Sequence, residues 1–348
     1  METLQFNKCN YRFLTNAELS FGSKISDQFP LVLTPKVAQQ DIIGISPEDG
    51  KEIMQDLHKY GAILFRGFEV NQESHTIFLK GLGIDLADNY TGGLTPRTKL
   101  GKFSFSSTEA HKDFIIYPHN EMAYNPKKPA YISFYSHIAG PLHSETPIYN
   151  CRGIYEALNP NTKELLLNKS LAYTRVLVKN NKFSFAPQIT VKDAFGTEDI
   201  NEIQEICKTQ MVNARMDGNR LILQTLVQPI VKHPYTAENC LNIQLLSKLI
   251  YRKMFKSIKD RYSLLQKIML GFRFYVLLVF ANLPISLRWG DNSMISDDVY
   301  NDLWQAFESN QCIFKWQNGD VLLLDNIKSA HARLNVVYPR KLYVAMGS

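Results

Sequence analysis

The chain has 348 residues, 45% of them hydrophobic and 21% charged, enough to form one large or two ordinary well-packed domains. That composition excludes disorder as the main state, collagen-like structure and coiled coil. Lys and Arg number 39 against 33 Asp and Glu, and the resulting +6 is spread along the whole chain. It is too weak for a nucleic-acid footprint, though it suits anionic small substrates or an acidic partner.

In chain order, the segment 1–21 carries no basic-then-apolar signal pattern, which argues against secretion. Pro47 to Tyr60 reads as a helix: Ser46 can cap it, Pro47 suits its first position, and Ile53, Met54 and Leu57 recur at helical spacing. Gly61 ends it, and Ala62-Ile63-Leu64-Phe65 follows as a short buried strand before Arg66-Gly67. Tyr131 to Ile138 reads as a second strand and Phe183 to Pro187 as a weaker one. Gly319-Asp320 turns into the strand Val321 to Leu324, and Leu342 to Met346 is the last strand. Strands at both ends with helices between point to α+β or a decorated, mainly β core rather than regular βαβ units.

Leu245 to Pro284 stands apart. It reads as one or two helices with Lys and Arg interspersed among apolar residues. Its most apolar part, Met269 to Leu283, is interrupted by Arg273 and falls short of the roughly 20 apolar residues a membrane span needs. The favoured reading is a helical insert whose apolar side packs on the main core. A basic amphipathic helix lying on a membrane or a partner is the second. The five cysteines (Cys9, Cys151, Cys207, Cys240, Cys312) are scattered and include no CxxC pair. Neither a disulfide scaffold nor a zinc-thiolate site is expected, and a cytoplasmic location is the natural setting.

The chemistry-bearing constellation lies around Tyr117-Pro118-His119-Asn120-Glu121-Met122. In extended backbone, positions i and i+2 share a side, so His119 and Glu121 can reach one metal ion. His331, after the strand ending Leu324-Asp325-Asn326, is a candidate third ligand. Two His and one carboxylate on one face leave open positions, as in non-haem Fe(II) oxygenases. An isolated HxE is weak and most often marks two solvated loop residues. His111, His137 and His143 read as hydrogen-bonded loop or strand histidines, Arg66 as a residue paired within the sheet core, and Trp289-Gly290-Asp291 as a turn.

The surrounding motifs sharpen the reading. Gly61–Phe68, His119-Asn120-Glu121, Ser144-Glu145-Thr146-Pro147-Ile148, Gly319–Asn326, His331 and Arg340 occur in one order. Together they resemble the TauD/TfdA-like family of Fe(II)/2-oxoglutarate dioxygenases, and within it the SyrP-like hydroxylase branch, over about Gly61 to Met346. The resemblance implies a double-stranded β-helix (jelly roll) with the metal at its mouth. It implies one oxygenase domain over 1–348, with a core from about 45 and the helical insert at about 245–284. His119, Glu121 and His331 match the Fe(II) ligands, and Thr146 matches the threonine that bonds 2-oxoglutarate. Arg340 is the best match to the arginine that clamps its distal carboxylate, with Arg333 as the competing choice. A planar guanidinium suits that role because it can form two parallel bonds to a carboxylate.

The family's chemistry consumes O2 and 2-oxoglutarate and releases succinate and CO2. Glu121 fills the position that halogenases of the superfamily leave empty for chloride, so the resemblance implies hydroxylation. Val344 stands where the taurine enzyme has a second Arg, which argues against taurine. The branch suggests a small amino-acid-derived substrate of secondary metabolism, free or tethered to a carrier protein of a peptide synthetase. The alternatives are a membrane-surface oxygenase acting on a lipid-like substrate, and a non-catalytic jelly-roll binding module.

Overall fold

The computed structural model describes residues 9–20, 23, 28–89, 97–107, 116–142, 144–179, 190–247, 249–250, 285–333 and 337–348, with a scatter of positions between 252 and 272. The larger sheet has seven strands. In spatial order they are β1 (Cys9–Phe13), β2 (Leu31–Pro35), β3 (Ala62–Phe65), β15 (Val321–Asp325), β6 (Tyr131–Ile138), β17 (Lys341–Gly347) and β4 (Phe105–Ser106). The smaller has four: β14 (Gln311–Cys312), β7 (Ile148–Asn150), β16 (Ser329–Arg333) and β5 (Ile116–His119).

Side-chain alternation explains why the central strands of the larger sheet are apolar without a break. On β15, Leu322 and Leu324 face inward with Ala62, Leu64, Ile132, Phe134, Leu342 and Val344, against Ile148, Phe314 and Trp316 from the side of the smaller sheet. Val321 and Leu323 face outward with Ile63, Phe65 and Tyr135. There they meet Ile53 and Leu57 of α1 (Pro47–Tyr60) and Phe78 and Leu79 of α2 (Gln72–Gly81). Two sheets enclosing one interior, one of them backed by helices, is the expected jelly roll.

Local signals for α1 are realised. Ser46 Oγ accepts from the Asp49 N–H at 3.1 Å, Asp49 closes the capping box, and Gly61 takes a left-handed φ of 82° at the C-terminus. A side chain could not replace that glycine's hydrogen, because a Cβ there would stand 2.9 Å from Lys328 Cβ.

The core begins earlier than the expected boundary near 45. Leu31-Val32-Leu33 forms β2, which runs parallel to β3 and is buried on both faces, and β1 pairs antiparallel to β2. A three-residue apolar run is too short to show as a strand until β3 supplies its partner.

A second, four-stranded sheet of β13 (Ile285–Trp289), β8 (Leu171–Val178), β10 (Arg220–Val227) and β9 (Asn213–Asp217) flanks the smaller jelly-roll sheet. The two share a core with α3 (Cys151–Ala157), α4 (Pro160–Asn168) and α7 (Asp297–Ser309). Farther along that same face the sheet packs on α5 (Val191–Phe195) and α6 (Ile200–Thr209) through Leu177, Leu221 and Leu223, and a two-stranded ribbon joins β11 (Ile230–Lys232) to β12 (Asn239–Leu241).

The helical insert only partly packs as expected. Leu245 and Ile250 are fully buried, whereas Leu264, Leu265, Ile268, Met269 and Phe272 on the described helical residues are 51–75% exposed. Leu245 and Ile250 join the buried cluster that also holds Leu303, Trp304 and Phe307 of α7. Among the described residues, no helix is long and apolar enough to cross a membrane. The weaker strand expected over Phe183 to Pro187, and Arg273, lie outside the described residues.

Candidate metal and cosubstrate site

β5 and β16 are neighbours in the smaller sheet, and their register sets His331 opposite His119. The imidazole centroids are 4.3 Å apart, and Phe134 of the facing sheet meets His331 edge-on at 5.2 Å. Glu121 reaches the same point from a turn over 121–124 rather than from continued strand, because β5 ends at His119 and Met122 takes a φ of 53°. The ligand-type atoms of His119, Glu121 and His331 all lie within 4.8 Å of one another, with His331 Nε2 3.6 Å from Glu121 Oε2.

The donor set fits a divalent metal. His119 Nδ1 lies 2.7 Å from the Tyr117 carbonyl, which only accepts, so the proton sits on Nδ1 and the Nε2 lone pair is left for a metal. Burial lowers the His119 pKa, and that of His331 falls well below the ordinary value through burial and the charges of His119 and Arg97. Both rings are therefore neutral ligands at neutral pH.

The peptide carrying Glu121 is gripped by one side chain. Asn326 Oδ1 accepts from the Glu121 N–H at 2.7 Å, and Asn326 Nδ2 donates to the Glu121 carbonyl at 2.9 Å. Asn120, fully buried, donates to the carbonyls of Asn326 and Ser329 and accepts from the Ile243 N–H. Asn326 closes the Gly319–Asn326 motif, but its grip on the HxE turn joins residues far apart in the chain, and no spacing announces it.

The site opens into a cavity of about 660 Å³, counting its open mouth, lined by Arg97, Tyr124, Thr146, Gln244, Arg333 and Arg340 among others. Arg340 Nη2 donates to Thr146 Oγ1 at 2.8 Å, and Trp316 Nε1 donates to the same oxygen at 3.3 Å. With both lone pairs engaged, the Thr146 hydroxyl can only donate onward. Arg340 Nε is buried with no hydrogen-bond partner, and burial together with the Arg333 charge pushes the Arg340 pKa down to about 9. Such a guanidinium is short of an anion. Gly140, at φ 79°, brings its Cα against Arg340, and Ser144 Oγ bonds both the carbonyl and the N–H of Val337.

The remaining sequence candidates fall outside the cavity. Arg66 makes a bidentate pair with Asp320 (3.0 and 2.7 Å) and bonds Glu18, as a core residue. His137 is exposed on β6 against Tyr343, and Val344 is fully buried in the jelly-roll interior. Trp289 is buried, while Asp291 pairs at the surface with Lys169 at 3.1 Å, so that stretch is a turn. His111 and His143 lie outside the described residues. All five cysteines are buried and free.

Sequence reading missed Arg97, whose Nη2 lies 3.0 Å from Glu121 Oε2, and Gln244, which meets His119 through a lone β-bridge. It also missed Tyr124, whose ring is covered by the Arg175 guanidinium at 4.5 Å. None stands at an interpretable spacing from the HxE turn.

Comparisons with known proteins bear on the family and the fold. The family described as "Taurine catabolism dioxygenase TauD, TfdA family" matches residues 30–346. A clavaminate synthase-like protein of Arabidopsis thaliana is 26% identical over 335 residues, covering 92% of this chain and 94% of that protein. The dapdiamide synthesis protein DdaC of Enterobacter agglomerans is 25% identical over 291 residues, covering 83% of each. Among solved structures, PvcB from Pseudomonas aeruginosa superposes with a TM-score of 0.56 at 11% identity, covering 100% of this chain and 94% of that one. AAD-2 in complex with Mn(II) and N-oxalylglycine gives 0.55 at 13%, covering 98% of each. At such identities the structural likeness speaks to the fold alone.

Proposed function

The chain belongs to the TauD/TfdA family of Fe(II)- and 2-oxoglutarate-dependent dioxygenases, and on that premise we propose that it hydroxylates an unactivated C–H bond of a small, amino-acid-derived substrate. His119, Glu121 and His331 would hold the iron. Arg340 and Thr146 would hold the distal carboxylate of 2-oxoglutarate, with Arg333 beside them. The observation that carries the reading is that the His-Glu-His cluster and the Arg340–Thr146 pair line one cavity.

When bound, iron and 2-oxoglutarate supply the O2 activation that ends in succinate and CO2. The protein supplies position and charge. The Tyr117 carbonyl keeps the His119 lone pair aimed at the metal, Asn326 fixes the Glu121 peptide, and Trp316 turns the Thr146 hydroxyl proton toward the cosubstrate. Glu121 occupies the position a halide would need, which supports an oxygen-derived product over a chlorinated one.

A non-catalytic module would have to lack a ligand or the clamp, and the chain carries all five candidate residues. The relative named for dapdiamide synthesis, and PvcB, described as coming from an isonitrile synthetic pathway, support a small metabolite as substrate. A substrate tethered to an acidic carrier protein of a peptide synthetase fits the +6 charge, and five buried free thiols fit a reducing cytoplasm.

The test is to incubate enzyme, Fe(II), 2-oxoglutarate, O2 and excess chloride with amino acids, free and carrier-bound. Hydroxylation gives succinate and a product about 16 mass units heavier, whereas desaturation gives one about 2 lighter. A chlorinated product refutes the role given to Glu121. Turnover on the carrier alone supports the tethered form.

A second reading, a membrane-surface oxygenase acting on a lipid-like substrate, is favoured by the exposed stripe of Leu264, Leu265, Ile268, Met269 and Phe272. Flotation with anionic vesicles decides it, and protein left at the bottom of the gradient removes it.

A further inference from the structure

The register of the smaller sheet continues past β5. The stretch that follows β12 runs antiparallel to β5: the Asn120 N–H donates to the Ile243 carbonyl at 3.2 Å, and the Leu245 N–H donates to the Pro118 carbonyl at 3.0 Å. These two bonds set Gln244 directly opposite His119. The two residues exchange no backbone bond themselves, and in a pair of that kind the side chains share a face and stand closest. His331, His119 and Gln244 therefore form one row across three neighbouring segments. Thr146 lies on the other side of the row, just before β7, which pairs with β16. Seen along the sheet, the metal ligands separate Gln244 from the end that would receive 2-oxoglutarate.

Gln244 is held firmly at its backbone. Its N–H donates to the Tyr173 hydroxyl at 2.8 Å, and that hydroxyl donates to the Gln244 carbonyl at 3.2 Å. The carbonyl also accepts from the Leu246 N–H at 2.9 Å. Among the described residues, every hydrogen bond of Gln244 runs through its backbone. The residue is 7% exposed and lines the cavity. A carboxamide kept from bulk water carries a cost until both its donor and its acceptor are matched.

From this placement we propose that Gln244 is a specificity-determining residue that binds a primary carboxamide of the substrate. The inference rests on the hydroxylase reading and narrows it to an amide-bearing substrate. A partner that satisfies Oε1 and Nε2 together must donate and accept along one edge. A primary carboxamide does so, closing a ring of two parallel hydrogen bonds. A carboxylate only accepts and an ammonium only donates, so each leaves one atom of Gln244 unmatched. A trans peptide amide has its N–H and C=O on opposite edges. Neighbouring segments of a sheet lie about 4.8 Å apart, so a carboxamide seated on Gln244 brings the carbons beside it close to His119 and the metal position. The amide has three sources: the side chain of a free amino acid, the α-carboxamide of an amino-acid amide, or the side chain of an amino acid tethered as a thioester.

The test uses full-length protein saturated with Mn(II) and N-oxalylglycine, so that nothing turns over. Calorimetric titration first establishes that both bind. If they do not, the oxygenase reading fails before any substrate probe is added, and this inference falls with it. The loaded protein is then titrated with asparagine, glutamine, leucinamide and the N-acetylcysteamine thioester of asparagine. Each amide is compared with the methyl ester that replaces it, which stays neutral and keeps the acceptor but has no donor. We expect at least one amide to bind about fivefold to a hundredfold tighter than its ester, the effect of leaving the buried Gln244 oxygen unmatched. Which of the amides shows the preference identifies the source. In Gln244→Met, at saturating metal and analogue, the preference should vanish. The proposal is overturned if no amide binds, if no amide binds tighter than its ester, or if the preference survives in Gln244→Met. The wild-type comparison stands even where the variant does not fold.

Discussion

His331 stands directly opposite His119 in the pairing of β16 with β5, so two imidazoles from distant parts of the chain meet at 4.3 Å between centroids. Cross-strand partners share a face, and this pairing converts one HxE turn into a three-donor site. His119→Ala and His331→Ala should each lose the single equivalent of Fe(II), followed by anaerobic titration, with circular dichroism unchanged. Full stoichiometry in both variants would sink the ligand assignment.

The Arg340–Thr146 hydrogen bond of 2.8 Å marks the end of the cavity that would receive 2-oxoglutarate. Arg340→Ala should raise the apparent KM for 2-oxoglutarate by about 30-fold to a hundredfold, as expected for a charge-assisted pair worth roughly 2–3 kcal/mol, with little change in iron affinity. If Arg333→Ala shows that selective effect and Arg340→Ala does not, the two arginines exchange roles.

Gly140 tests the placement of that arginine without touching it. Its φ of 79° is costly for any residue with a Cβ, and a Cβ there would stand 2.9 Å from Arg340 Cβ and 3.0 Å from Ser144 Cβ. Gly140→Ala should weaken 2-oxoglutarate binding by several-fold while metal binding holds. Calorimetry with N-oxalylglycine and with Mn(II) separates the two effects.

His75 should govern part of the acid limit of stability. It is fully buried beneath the larger sheet, its Nε2 is 2.8 Å from Ser133 Oγ, and burial pushes its pKa down to about 3. The unfolded chain takes up the proton near the ordinary histidine value of about 6.5. As pH falls from there toward 3, the unfolded state binds a proton the folded state refuses, and stability declines. His75→Gln, which can keep the bond to Ser133, should flatten urea-unfolding stability between pH 6.5 and 4. An unchanged slope would assign the acid sensitivity to other groups.

Much of the scaffold was legible because its causes are local. Ser46, Pro47 and Gly61 bound α1 through capping and backbone preference, and the apolar runs at 62–65 and 321–324 are strands buried on both faces. The helical insert was legible as helix but not in its packing: Leu245 and Ile250 are buried while Leu264 and Phe272 are exposed, a difference that apolar character alone does not announce.

His119, Glu121 and His331 could be put forward as candidate ligands from residue type and spacing, and Thr146 and Arg340 only through the resemblance that the ordered motifs carry. Only the tertiary structure decided the rest: the pairing of β2 with β3, the grip of Asn326 on the Glu121 peptide, the two donors that orient Thr146, and Arg97 beside the metal position. The physical reason is range. Capping and alternation act over a few residues and leave a pattern in the chain. A hydrogen bond or ion pair between distant residues depends on sheet register and turn geometry, which exist only once the two sheets have closed on each other.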